Sequence, residues 1–215
     1  MAHRNFEEYA DQRLMNGSVS DVFIYFFKRN VDYANPDLKI LDYGCGDGKY
    51  FSFLCRYFRK EMIYGLELSE KRIQRCKEIG WDNVFKVKPF ERFPFDSNLF
   101  DVIIFDQVIE HILLNETDFY LSELRRVLKE EGRMIIITPN YPIKRLYDVM
   151  NAILKNDWKR VFDDPTHMSK YNFDRLKKKL KQYFGNVMLY PTGGFFYRHI
   201  RKKFWSHKII GLAIK

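Results

Sequence analysis

Three glycines and two acids crowd into seven residues at Asp42-Tyr43-Gly44-Cys45-Gly46-Asp47-Gly48. Glycine has no Cβ, so such a loop turns tightly and leaves room for a ligand against its backbone. The spacing bears on which ligand. A dinucleotide loop reads Gly-x-Gly-x-x-Gly and makes room for a pyrophosphate. Here the order is Gly44-x-Gly46-x-Gly48, and Lys49 stands where the third dinucleotide glycine belongs. Asp42 and Asp47 would repel a pyrophosphate and attract a ligand carrying an ammonium or a sulfonium. No Gly-Lys-Ser or Gly-Lys-Thr follows, which excludes a phosphate-binding P-loop.

A second group lies further on. Glu67 closes the stretch Tyr64-Gly65-Leu66-Glu67-Leu68-Ser69. A carboxylate at a strand end can accept hydrogen bonds from two ribose hydroxyls. NAD enzymes use the same device, so Glu67 implies an adenosyl ribose without naming the cofactor.

These groups need a frame. Lys39 to Tyr43 reads as a short apolar strand running into the loop, and Met62 to Leu66 as a second strand. Val84 to Val87 is a third, and Asp101 to Phe105 is a β-branched run suited to a strand buried on both faces. Arg133 to Thr138 reads as another buried strand after a turn at Glu131-Gly132. Asn186 to Tyr190 and Lys208 to Ile214 are the last two. Helical spacing runs between them: Val19 to Asn30 with Ser18 as N-cap, Lys49 to Phe58, and Ser69 to Ile79 capped by Ser69. Thr117 to Lys129, Pro142 to Lys155 and Phe173 to Phe184, ending at Gly185 as C-cap, complete the set. Strands alternating with helices predict an α/β fold around a mostly parallel sheet. In such a sheet ligands bind beyond the carboxyl ends of the strands, where the glycine loop falls.

Bulk properties set bounds. The 215 residues, 46% of them hydrophobic, describe a globular chain, expected to be one domain. Its expected parts are an N-terminal helical cap over 1–35, a cofactor-binding core over 38–140, and an acceptor-side segment with the last strands over 141–215. No apolar run approaches the ~18–20 residues of a membrane span. The polar N-terminus is unlike a secretory signal, and three cysteines make no disulfide framework, so the expected location is cytoplasmic. The net charge of +9 is uneven: from Ser169 onward there are twelve Lys or Arg and one acid, Asp174. That basic end suits an anionic small molecule, nucleic acid or an acidic membrane surface, and it equally describes a solvated helix face and tail.

The motifs together resemble the class I S-adenosylmethionine-dependent methyltransferases. Leu41 to Gly48 matches their first motif and Gly65 to Ser69 their second; Glu91 to Ile112 is similar to the third and fourth, and Leu121 to Asn140 to the next helix and fifth strand. The resemblance implies a Rossmann-like, seven-stranded, mostly parallel sheet with the last strand antiparallel and helices on both faces. It also implies S-adenosyl-L-methionine as cofactor. Asp42 would orient the loop and reach the amino-acid end of the cofactor, while Gly44, Cys45 and Gly46 line its methionine moiety. Glu67 would hold the ribose and Leu68 would cover one adenine face. Many relatives bind the adenine amino group through an acid after the third strand. Pro89 stands there, so backbone groups and stacking on Phe90 take its place. Asp106 and Gln107 would lie beside the sulfonium, and Arg13 could pair with the cofactor carboxylate.

Methyl transfer to an alcohol also requires loss of a proton, a task for a histidine titrating near neutrality. His111, in Glu110-His111, and His167, in Asp163-Asp-Pro-Thr-His-Met168, are the two candidates, with His167 first. Many relatives carry a similar Pro-Thr-His stretch over the active site. The histidines and acids show no metal-ligand spacing, so no metal is expected. The aromatic and basic residues Phe195, Phe196, Tyr197, Arg198, Arg201, Phe204 and Trp205 suit an acceptor surface. The expected activity is methylation of an O or N atom of a small metabolite, such as a sugar or a phosphorylated or nucleotide-linked sugar. RNA methylation is the alternative, weakened because Asp106-Gln107-Val108 replaces the Asn/Asp-Pro-Pro-Tyr of exocyclic base methylation and no Pro-Cys is present. A non-enzymatic cofactor-binding domain is a third reading. A dehydrogenase fits least, since no Tyr-x-x-x-Lys occurs.

Overall fold

The computed structural model describes residues 6–12, 17–156, 158, 162, 164–193 and 202–215. Arg13, Asp163, Phe195, Phe196, Tyr197, Arg198 and Arg201 lie outside them. The elements in chain order are α1 (Phe6–Gln12), α2 (Asp21–Asn30), β1 (Ile40–Tyr43), α3 (Phe51–Leu54), β2 (Ile63–Glu67), α4 (Glu70–Glu78) and β3 (Val84–Lys86). They continue with β4 (Phe100–Asp106), α5 (Thr117–Val127), β5 (Leu128–Pro139), α6 (Ile143–Lys155), α7 (Phe173–Leu180), β6 (Asn186–Thr192) and β7 (Lys208–Ile214).

The strands form a seven-stranded sheet in the order β3-β2-β1-β4-β5-β7-β6. β1 pairs in parallel with β2 and β4, and β6 pairs antiparallel with β7. This is the expected doubly wound α/β architecture, with its switch point where β1 meets β4. Among the described residues, no helix is long and apolar enough to cross a membrane.

The chain divides into two compact units. The first holds residues 1–104 and 126–133. All four residues of β1 are buried, and Asp42 sits opposite Gly65 of β2 and Ile104 of β4. α2 buries Phe23 and Phe27 against Tyr50, Phe53 and Phe58 in a cluster of tilted and edge-on rings. Its cap is Ser20, whose side chain accepts the Phe23 N–H; the expected cap, Ser18, lies two residues too early. The predicted helix over Lys49 to Phe58 shortens to α3, followed by turns.

The second unit holds residues 105–125 and 134–215. α7 buries Phe173, Leu176 and Leu180, and it stops at Lys181. Gly185 is therefore not its cap; its N–H instead donates to the Ile214 carbonyl of β7. Expected turn and strand merge in β5, whose first residues belong to the first unit: it starts at Leu128 and keeps the turn's signature as a positive φ of 60° at Glu131.

Candidate active site

In the first unit the glycine loop leaves β1 in a left-handed course, with φ of 74° at Gly44, 56° at Gly46 and 82° at Gly48. Only glycine adopts such a series without strain. A Cβ on Gly48 would also meet Ile79 Cδ1 at 2.8 Å. The Gly44 and Cys45 amides donate to the Leu66 carbonyl at 2.8 and 3.2 Å, which ties the loop to the end of β2.

Glu67 completes that tie. Its Oε2 accepts the Gly46 N–H at 2.9 Å, while Oε1 accepts the amides of Leu68 and Ser69 at 2.8 and 3.1 Å. The expected ribose ligand is thus also the brace of the loop. Asp42 is buried at the end of β1. Asp47 is buried too, but it forms an ion pair with Arg75 of α4 at 3.0 Å. Asp47 thus has a cation within the protein. Cys45 is buried under the loop, and burial, with Cys76 as hydrogen-bonding neighbour, pushes its thiol well up, so it stays a neutral packing group.

Phe90 is exposed and holds a φ of 60°. That conformation is uncommon for an aromatic residue and marks a constrained turn. The turn is closed by Lys88, whose amide donates to Glu91 Oε2 and whose carbonyl accepts the Glu91 amide.

The second unit carries the other group of residues. β4 ends at Asp106, and Gln107 follows with a φ of 57°, its N–H donating to the Ile137 carbonyl at 2.9 Å. The Gln107 Nε2 is buried and has no hydrogen-bond partner among the described residues. Next comes Glu110, fully buried, with Oε2 accepting the Thr138 hydroxyl at 3.0 Å and Oε1 lacking a hydrogen-bond partner among the described residues. Burial, reinforced by the Asp106 charge and opposed by Thr138 and Lys208, pushes its carboxyl up to about 8.

Both candidate histidines join Glu110. The segment from Asp164 to Ser169 folds as a turn in which Asp164 Oδ1 accepts the Thr166 amide at 2.9 Å. It is stitched to residues 110–112 by Ser169, whose amide donates to the Glu110 carbonyl and whose hydroxyl donates to the Ile112 carbonyl. The rings of His111 and His167 consequently lie 4.9 Å apart, edge to face. His111 Nδ1 lies 3.1 Å from the Thr166 carbonyl, and His167 Nδ1 lies 2.6 Å from Tyr141 Oη. Asp164 Oδ2 is 3.8 Å from His167 Nε2.

The expectation that histidines and acids do not cluster is corrected here. One ligand atom each from Glu110, His111 and His167 lies within 4.8 Å of the others. Spacing along the chain hides this, because the two histidines stand 56 positions apart and long-range bonds, those of Ser169 among them, bring them together. Glu110 is the functional candidate that sequence reasoning passed over; its signal was an acid beside a histidine, four residues past the end of a buried strand.

These features fit S-adenosylmethionine. The left-handed glycines keep the loop backbone open to a ligand, and a carboxylate stands at the end of β2. Comparison with known proteins agrees. The profile of the family described as "Methyltransferase domain" matches residues 34–186. The ubiquinone biosynthesis O-methyltransferase of Pelagibacter ubique is 32% identical over 165 residues, covering 70% of this chain and 67% of that enzyme. A ubiquinone/menaquinone biosynthesis C-methyltransferase of Paraburkholderia xenovorans is 28% identical over 152 residues, covering 63% and 58%. The chain thus spans about two thirds of the first relative and somewhat less of the second. Among solved structures, a SAM-dependent methyltransferase from Archaeoglobus fulgidus shares the fold, with a TM-score of 0.64, 19% identity and coverage of 91% and 94%. The chain belongs to the methyltransferase domain family, the class I enzymes that use S-adenosylmethionine as methyl donor.

Proposed function

We propose that the chain methylates an oxygen atom of a small hydroxylated metabolite. The observation that carries this reading is the gathering of His111 and His167 around the buried carboxyl of Glu110. A hydroxyl is a weak nucleophile until its proton leaves, and imidazole suits that task. Similarity to an O-methyltransferase supports the choice of oxygen over nitrogen. Bound S-adenosylmethionine supplies a methyl group already activated on its sulfonium, so positioning accounts for much of the remaining rate.

Individual roles follow. Gly44, Cys45 and Gly46 offer backbone to the methionine moiety, Asp42 faces its ammonium, and Glu67 accepts the ribose hydroxyls. Leu68 and Phe90 flank the adenine. Asp106 and Gln107 attend the sulfonium end, and Arg13 pairs with the carboxylate. His167, oriented by Tyr141, removes the acceptor proton, with His111 beside it.

A test combines two measurements. Calorimetric titration with S-adenosylmethionine should show binding that Gly46→Arg abolishes. Mass spectrometry of a panel of hydroxylated acceptors, phenols and sugars included, should then show a gain of one methyl group. His167→Ala should lower kcat 100-fold or more with cofactor affinity intact; equal loss of both would reduce His167 to a structural residue. The exposed basic residues of α7, Arg175, Lys177 and Lys178, favour RNA as the second acceptor reading. Salt-sensitive RNA binding in a mobility shift, with no methylated small molecule, would favour it over the first.

A further inference from the structure

We infer that Glu110, His111 and His167 form a divalent-cation site. Their ligand atoms lie within 4.8 Å of one another, inside the reach of a single ion. Glu110 Oε1 is buried and has no hydrogen-bond partner, while Oε2 is already engaged by Thr138. A buried polar atom without a partner is costly. A cation held by this oxygen and the two imidazoles supplies that partner.

The histidines are oriented for this. The Thr166 carbonyl can only accept, so His111 Nδ1 carries the proton and the lone pair sits on Nε2. A backbone carbonyl fixing the tautomer in this way is the usual outer support of a metal-binding imidazole. Tyr141 Oη lies 2.6 Å from His167 Nδ1 and can either donate or accept; where it accepts, the lone pair falls on Nε2, which Asp164 Oδ2 also faces at 3.8 Å. Two nitrogens and one carboxylate oxygen suit Mn²⁺, Fe²⁺, Co²⁺ or Zn²⁺ better than Ca²⁺ or Mg²⁺, which prefer oxygen ligands throughout. Three protein ligands also leave positions open for water or for an oxygen of the acceptor. In that extension, which rests on the O-methylation reading, the histidines hold an ion that acidifies the hydroxyl instead of taking its proton themselves.

Cobalt makes the site visible. Chelator-treated protein titrated with Co²⁺ should bind one ion per chain and develop the visible absorption of nitrogen ligation. His111→Ala and His167→Ala should abolish that spectrum, and Glu110→Gln should weaken binding at least 10-fold. Tyr141→Phe, which leaves all three ligands in place, should weaken it about 10-fold. Calorimetric binding of S-adenosylmethionine by every variant reports that the fold survives. Wild-type protein that binds S-adenosylmethionine but no Co²⁺ overturns the inference, as does Co²⁺ binding indifferent to all four substitutions. Site-dependent Co²⁺ binding without methylation of any hydroxylated acceptor leaves the cation site standing and removes the O-methylation reading.

Discussion

Glu67 Oε2 accepts the Gly46 N–H at 2.9 Å, so a carboxylate at the end of β2 braces the glycine loop that follows β1. The other oxygen holds the amides of Leu68 and Ser69 at the entrance to α4. Glu67→Gln presents an NH₂ group to at least one of these donors and loses the charge. Cofactor affinity should fall about 10- to 100-fold, on the order of 1.4–2.8 kcal/mol. Titration calorimetry with S-adenosylmethionine checks this, and unchanged affinity would remove Glu67 from the binding site.

Gly65 is a packing glycine. A Cβ there would stand 2.9 Å from Cys45 Sγ and 3.0 Å from the Trp81 ring. Trp81 cannot retreat: it is buried, stacked on Phe51 at 4.9 Å, and bonded through Nε1 to the Ile63 carbonyl. Gly65→Ala should destabilise the protein by about 1–3 kcal/mol through overpacking. Cys45→Ala should recover part of the loss in the double variant, as urea denaturation would show.

The two groups of residues differ in what sequence could carry. In the first unit the group is local: Asp42 to Gly48 and Glu67 sit at strand ends, and their spacing alone describes a turn and an acceptor. In the second unit the group is assembled by long-range bonds, from Ser169 to residues 110–112, that no periodicity encodes. Fold class was readable because β1 and β4 are apolar runs buried along nearly their whole length. Helix ends were read less well: α3 and α7 stop early, since apolar spacing continues through turns that are buried for tertiary reasons.

Asn140 shows the same divide, as the last residue of a recognisable motif whose task appears only in the fold. It is buried, and its Nδ2 donates to the carbonyls of Phe204 and Ser206 at 3.0 and 2.9 Å. Asn140→Leu leaves both carbonyls without that donor, each worth about 1–3 kcal/mol when buried. Chemical denaturation should show a loss in that range or above, and a change under 0.5 kcal/mol would assign those carbonyls to water.

His207 should set part of the acid response. Burial first, then Lys208 and Lys144, hold its imidazole below the ordinary histidine range, against the pull of Asp148. The unfolded chain therefore binds a proton that the folded one refuses. The stability His207 contributes is complete above about pH 6.5, the unfolded value, and is lost as pH falls toward the folded one. His207→Asn should flatten that part of the curve, whose slope for one proton cannot exceed about 1.4 kcal/mol per pH unit. Urea midpoints from pH 5 to 7.5 provide the test. The Glu110 carboxyl titrates in both proteins and cancels in their difference, so parallel curves would mean that His207 accepts its proton in the fold.

Arg75 answers to two masters. Its guanidinium donates to Asp47 in the glycine loop and to the Ala10 carbonyl of α1, while Glu7 on that same helix receives the Ser69 hydroxyl and the amides of Glu70 and Lys71. Order in the leading helix and order in the loop are therefore reciprocal. Whatever steadies the loop also shields α1 from a protease, and a cut behind Gln12 would be felt as a weaker grip on the methyl donor.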